Sequence, residues 1–412
     1  MTDDLWNEGK EKYTSCSKCT QNEVKERRLM FPLSTAKKAT SDYSWLSRLK
    51  NSTWIFANKD SDSLEHCLIR LQQDSDKPLV ETVKQAIDFQ AYQEARDYLE
   101  RIWGRYPGKE GEIQYLMARC YFGQGLIQEA LICLDKALIH GPESTEYLEL
   151  QADCLMEKED WRGAVDALNK AIWANPKKVE NIYRLGTIYS YHNEPHEALR
   201  CFQGCCELKP HNSLYWEMKG EIHLQLEQMS QAIISFEKAL RYEYNPDLKA
   251  RLAYCYTQIN EHQKAIRLYR QVLKHDPAHY DSLCNLAAIY QNKGESMEAL
   301  KLQERAYGLC QNDPVLLNNM AYTLVHLGRT RKATEYYQEA LKLAQANPVI
   351  LYNLAVCHTQ KGNWDQGIEI LYRLLNIDPD HSEGWALLGN IYDHLTDHES
   401  AVDCYNKALQ LA

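Results

Sequence analysis

The chain has 412 residues, 44% of them hydrophobic and 25% charged, a balance that fits a soluble folded protein and a length beyond one compact core. A formal charge of -10 and a pI near 5.8 exclude a nucleic-acid backbone as the main ligand, since phosphate binding needs a positive field; a basic partner surface is easier to accommodate. No run of about eighteen consecutive apolar residues is present, and the opening MTDDLWNEGK is polar and acidic, so neither a membrane span nor a signal peptide is expected and the chain reads as cytoplasmic.

Residues 1–75 show no internal period. Cys16 and Cys19 form a C-x2-C pair, which would be a strong zinc signal beside a second such pair. That second pair is missing, and His66 with Cys67 could complete a site only through a long loop, so no metal is expected. Between residues 63 and 73, Leu64, Leu68 and Leu71 lie on one helical stripe and predict a capping helix that shields the first hairpin. The remainder of this region is expected to be partly disordered.

From residue 76 onward the chain repeats itself, in copies that start near 76, 111, 145, 179, 213, 246, 280, 314, 348 and 382. A small residue recurs at Ala130, Ala164, Ala198, Ala232, Ala265, Ala299, Ala333, Gly367 and Ala401, every 34 residues with a single step of 33. Two further series, one twelve residues earlier (Ala118 to Gly389) and one seven later (Ala137 to Ala408), keep the same period. Two helices of about 12 to 14 residues and two short turns use up such a repeat, so each copy is predicted to be a helical hairpin. The small residues mark helix crossings, and aromatic residues such as Tyr189, Phe202, Phe236, Tyr269 and Tyr337 fill the wider gaps. Glycines at Gly125, Gly294, Gly328 and Gly362 suit a left-handed turn inside the hairpin, and prolines from Pro142 to Pro379 fall at junctions. The first copy keeps only a skeleton of Val83, Ala86, Ala95, Leu99, Ile102 and Pro107.

The last copy contains WALLGNIY, Trp385 to Tyr392, and the fourth YRLGTIY, Tyr183 to Tyr189. These match W-x2-L-G-x2-Y wholly and nearly, and the array from 76 to 412 resembles the tetratricopeptide repeat family. The resemblance implies an all-α solenoid of about ten hairpins forming a right-handed superhelix, with first helices lining the concave side. It also implies a protein-interaction adaptor or chaperone whose groove holds an extended segment of a partner. The alternatives are a scaffold subunit of a permanent assembly and the recognition part of a larger enzyme.

No phosphate-binding loop, dinucleotide fingerprint, nucleophile elbow or H-E-x-x-H helix occurs, so neither catalysis nor a cofactor is expected. His192 and His196 have the spacing of metal ligands, yet Pro195 between them prevents a regular helix from presenting both on one face. Nine of the fourteen cysteines fall within helical patterns and read as reduced, buried thiols.

Candidate binding residues come from projecting the first helices onto the groove. The sixth position is Arg184, Arg251, Asn285, Asn319 and Asn353 in five copies, and Tyr254, Tyr322 and Asn390 lie three residues further along their helices. An Asn amide both donates and accepts, so a ladder of them could hold a peptide by its backbone. Such a ladder is similar to the one lining the superhelix of O-linked N-acetylglucosamine transferases. Toward the N-terminal copies the same surface is acidic. Glu149 with Asp153, and Glu217 with Glu221, place like charges four apart, at a cost of roughly 0.2–0.5 kcal/mol each that an outside cation could offset. A basic segment of a protein or peptide partner is therefore expected there. In the final copy Trp385, Leu388, Ile391, Val402, Tyr405 and Leu409 present more apolar surface than one hairpin is expected to bury. That end is predicted to be covered by further chain, a second copy or a partner.

Overall fold

The computed structural model describes residues 79–411, and its twenty helices there form ten consecutive hairpins. They are α1 (Leu79–Asp88), α2 (Tyr92–Ile102), α3 (Glu110–Gly123), α4 (Ile127–His140), α5 (Thr145–Glu157), α6 (Trp161–Ala174), α7 (Val179–Tyr191), α8 (Pro195–Leu208), α9 (Ser213–Gln225) and α10 (Met229–Tyr242), followed by α11 (Pro246–Gln258), α12 (His262–His275), α13 (Tyr280–Asn292), α14 (Ser296–Leu309), α15 (Pro314–His326), α16 (Thr330–Leu343), α17 (Pro348–Gln360), α18 (Trp364–Ile377), α19 (Ser382–His394) and α20 (His398–Leu411). Odd-numbered helices open each hairpin and even-numbered ones close it. The capping helix expected over 63–73 and the residues Cys16, Cys19, His66 and Cys67 lie outside the described residues.

Local chemistry sets the helix starts. Asn245, Asp313 and Asn347 each accept hydrogen bonds from the next two available backbone N–H groups, and each is followed by proline at the first helical position. Proline costs nothing there, because that N–H would have no helical acceptor. The turn inside every hairpin passes through a left-handed residue at the same place in the repeat: Gln90, Gly125, Glu159, Asn193, Glu227, Asn260, Gly294, Gly328, Gly362 and Thr396, with φ between 57° and 78°. Only four are glycine. A side chain in this conformation costs about 1–2 kcal/mol, and a β-branched one is disfavoured further. Thr396→Gly should therefore stabilise the last hairpin by about 1 kcal/mol, read as slower amide exchange over residues 382–411. Exchange at the parent rate would show that the turn stores no strain.

The described chain divides into two compact units, residues 79–243 and 244–411. Within each, the two helices of a hairpin pack together, the second helix packs on the first helix of the next copy, and first helices of neighbouring copies touch. The first helices thus share one face of each unit and the second helices the opposite one. The repeating small residues Ala130, Ala164, Ala198 and Ala232 in one unit, and Ala265, Ala299 and Ala333 in the other, are fully buried at the crossings. Between them a column of large side chains fills the core: Leu134, Leu168, Phe202 and Phe236 in the first unit, and Tyr269, Tyr337 and Leu371 in the second, each at most 1% exposed. Dispersion and area burial at these positions hold successive hairpins in register.

Candidate functional site

The face lined by first helices is where adjacent copies converge most closely, and it carries the residues singled out by the repeat pattern. In the unit of residues 79–243, Glu149 and Asp153 lie one turn apart on α5 and would repel each other. The structure supplies their cations from within. Lys178, at the entrance to α7, brings its Nζ to 2.6 and 2.8 Å from the two Glu149 oxygens, and the Asn181 amide donates to Oε1 at 2.7 Å. Arg184, one turn further along α7, pairs with Asp153. This corrects the expected outside cation: the next copy of the chain neutralises this acidic pair. Arg184, expected to face a peptide, is engaged in the same link. Burial pushes Asp153 up to about 6, with Arg184 pulling in the opposite direction. Glu217 and Glu221, on the corresponding face of α9, are half-buried.

In the unit of residues 244–411, Arg251 and Tyr254 are half-buried on α11. Arg251 lies beside Asp281, whose value burial raises while the neighbouring His279 and Arg251 lower it and Asp247 raises it. Asn285 is half-buried on α13. Asn319 and Asn353, on α15 and α17, are joined through a residue that the sixth-position register omits. Asn353 Nδ2 donates to Asn318 Oδ1 at 3.0 Å, and Asn318 Nδ2 donates to Asn319 Oδ1 at 3.3 Å. Tyr322 meets His326 edge to face at 4.5 Å, and the exposed Asn390 accepts from the Tyr405 hydroxyl at 2.7 Å. The structure thus links Asn319 to Asn353 and Arg184 to Asp153. Lys178, Asn181 and Asn318 are the functional neighbours that sequence reasoning missed. Their only signal was closeness to the chosen positions: Asn318 lies one residue before Asn319, and Asn181 and Lys178 lie three and six residues before Arg184.

Among the described residues no group of three or more His, Cys, Asp and Glu could hold a metal, and no helix is long and apolar enough to cross a membrane. Burial pushes the Cys120 and Cys154 thiols up to about 12, which keeps them protonated and unreactive at neutral pH. In the last hairpin Leu388 and Ile391 are fully buried, because the preceding hairpin covers them. Val402 and Leu409 remain 55% and 64% exposed, whereas their counterparts Leu300, Leu341 and Leu375 in earlier copies are at most 8% exposed.

Comparison with known proteins agrees with this architecture. Tetratricopeptide repeat profiles match residues 86–154, 179–212, 214–246, 248–279, 268–301, 324–391 and 382–412. The chain is 26% identical over 298 residues to BBSome complex member BBS4 of Bos taurus, covering 72% of this chain and 57% of that protein. It is also 26% identical over 227 residues to DnaJ homolog subfamily C member 3 of Homo sapiens, covering 50% and 44% respectively. The chain therefore spans about half the length of these curated relatives. Among solved structures, the APC/C hetero-tetramer Cut9-Hcn1 aligns over 81% of this chain and 67% of its own, with TM-score 0.47 and 17% identity.

Proposed function

The chain belongs to the tetratricopeptide repeat family, whose fold generally mediates protein–protein interaction, and from that premise we propose that it is an adaptor which holds an extended segment of a partner along its first-helix face. The observation that carries this reading is the amide relay from Asn319 through Asn318 to Asn353. Each amide in it is held by its neighbour, so the half-exposed Asn353 keeps an oriented acceptor for a peptide N–H with little ordering still to be paid in entropy. Contacts through the peptide backbone would suit a partner recognised by its extended form. Glu217 and Glu221 would meet a basic stretch of it. The proposed place of action is the cytoplasm.

The test is titration with a peptide library on the intact chain. Asn319→Ala with Asn353→Ala should weaken the selected peptides by about tenfold, because the Asn353 acceptor is lost together with the buried Asn319 amide that anchors the relay. Glu217→Gln with Glu221→Gln should weaken basic peptides by about fivefold at low salt and flatten their salt dependence. Indifference of binding to both pairs would remove the groove from consideration.

A second reading, a scaffold subunit of a permanent assembly, is favoured by the similarity to a BBSome complex member. The exposed Val402 and Leu409 support it, since another hairpin, from a partner or a second copy, could cover them as interior copies are covered. Purification from native cells separates the two readings. A scaffold subunit stays in one assembly of fixed stoichiometry at high salt, and an adaptor is released.

A further inference from the structure

On the second-helix face of the unit 244–411, a depression of about 430 Å³ opens between α16 and α18, with Leu341, Leu354 and His358 in its floor. The position of His358 is tyrosine in five other copies, Tyr121, Tyr189, Tyr256, Tyr290 and Tyr392, leucine at Leu155 and Leu324, and histidine again at His223. Two of these hydroxyls bond the residue twenty positions earlier, on the preceding second helix: Tyr290 accepts from Arg270 at 2.5 Å, and Tyr392 meets the Tyr372 hydroxyl at 2.8 Å. Asn169 stands in the same relation to Tyr189 and hydrogen-bonds it. The residue that stands in this relation to His358 is Gln338, which lines the depression opposite it. The imidazole is shorter than a phenol. It is 94% buried (6% exposed); Gln366, also in the lining, hydrogen-bonds the ring, and Nδ1 is left without a partner among the described residues.

The rim adds charge. Lys342 and Arg373 stand on it against one acid, Glu369, and Arg373 is fixed by donating to the Gln345 carbonyl at 2.7 Å. We propose that this depression receives a tyrosyl side chain from a partner segment that carries a carboxylate beside the tyrosine. The ring takes the place that the chain's own tyrosine fills in other copies, against Leu341, Leu354 and Ile370. Its hydroxyl reaches the Gln338 amide, as the other tyrosines reach Asn169, Arg270 and Tyr372. The adjacent carboxylate meets Lys342 and Arg373. The site lies on the face opposite the amide relay and does not depend on peptide binding there.

The probe is a capped Asp-Tyr-Asp peptide added to the intact chain, with Asp-Leu-Asp and Lys-Tyr-Lys as comparisons, followed by the His358 ring resonance and by calorimetry. Asp-Tyr-Asp should shift that resonance saturably and bind at least about tenfold more tightly than either comparison peptide. His358→Tyr supplies the ring from within and should abolish binding while the melting temperature holds or rises. Lys342→Glu changes only an exposed side chain, so it keeps the test decisive should His358→Tyr misfold; it should weaken Asp-Tyr-Asp and improve Lys-Tyr-Lys. Equal binding of Asp-Tyr-Asp and Asp-Leu-Asp, unaltered binding by a folded His358→Tyr chain, or indifference to Lys342→Glu would each overturn the proposal.

Discussion

Replacing Arg184 by Ala should destabilise the unit of residues 79–243 by about 3–5 kcal/mol, the typical result of stranding one member of a buried ion pair. The Arg184 and Asp153 side chains are only 15% and 10% exposed, so water cannot take over the lost partner. The pH dependence gives the effect a signature. The folded-state value of Asp153 is raised by burial to about 6, so the folded chain holds this proton to higher pH than the unfolded chain. The associated stability is present in full below the ordinary carboxylate value of 3.8 and is lost as pH rises through about 6. Without Arg184, which lowers the value, protonation of Asp153 extends to still higher pH. The deficit relative to the parent chain should therefore be largest near neutrality and narrow toward pH 5. Urea unfolding at both pH values, with amide exchange over residues 145–191, measures it. A deficit below about 1 kcal/mol, or one that does not narrow, would show that the pair is dispensable. Asp153→Asn combined with Arg184→Met should recover most of the loss, since no buried charge is then left alone.

Gly220→Ala should also be costly, although alanine is the better helix former by about 1 kcal/mol. An added Cβ would stand 2.3 and 2.5 Å from Phe236 ring atoms, and that ring is fully buried. The side chain cannot swing away into solvent, so the crossing of α9 and α10 must open. Overpacking of this kind costs about 1–3 kcal/mol, and Gly220→Val should exceed that range. Gly204 provides the contrast. It is also inside a helix, yet its Cβ would find only Ile182 Cγ2 at 3.8 Å, an ordinary contact. Gly204→Ala should stabilise by about 0.5–1 kcal/mol. Thermal melts of the three variants decide the matter. Equal behaviour of Gly204→Ala and Gly220→Ala would mean that helix propensity outweighs the crossing. Phe236→Leu should rescue Gly220→Ala in part by withdrawing the ring.

The hairpins were legible in the sequence because each repeats the same demands. A small residue at Ala130 and at each 34-residue step can only mark a close crossing, and all such residues from Ala130 to Ala333 are buried where two helices meet. The left-handed turn was legible where glycine occupies it, as at Gly125 and Gly294, and hidden at Glu159, Glu227 and Thr396. Those residues adopt the conformation because the helices on either side impose it. The binding face was legible only as a set of positions. Projection of one helix showed that Glu149 and Asp153 repel each other, and it could not show that Lys178 and Arg184 of the next copy reach across to them. Asn318 was passed over for the same reason, since its partner Asn353 belongs to another copy. His358 carries no motif. Its meaning emerges only when Tyr290 and Tyr392 show what that position does elsewhere.

The links between copies all have short reach along the chain. Arg119 bonds Asp88, 31 positions away, Asn181 bonds Glu149, 32 away, and Asn353 bonds Asn318, 35 away. Each hairpin therefore finds its stabilising neighbour in chain that has only just been made. During synthesis a hairpin can dock on its predecessor as soon as it emerges, without waiting for the C-terminal residues. The search that folding requires stays the size of one copy, however many copies the array contains.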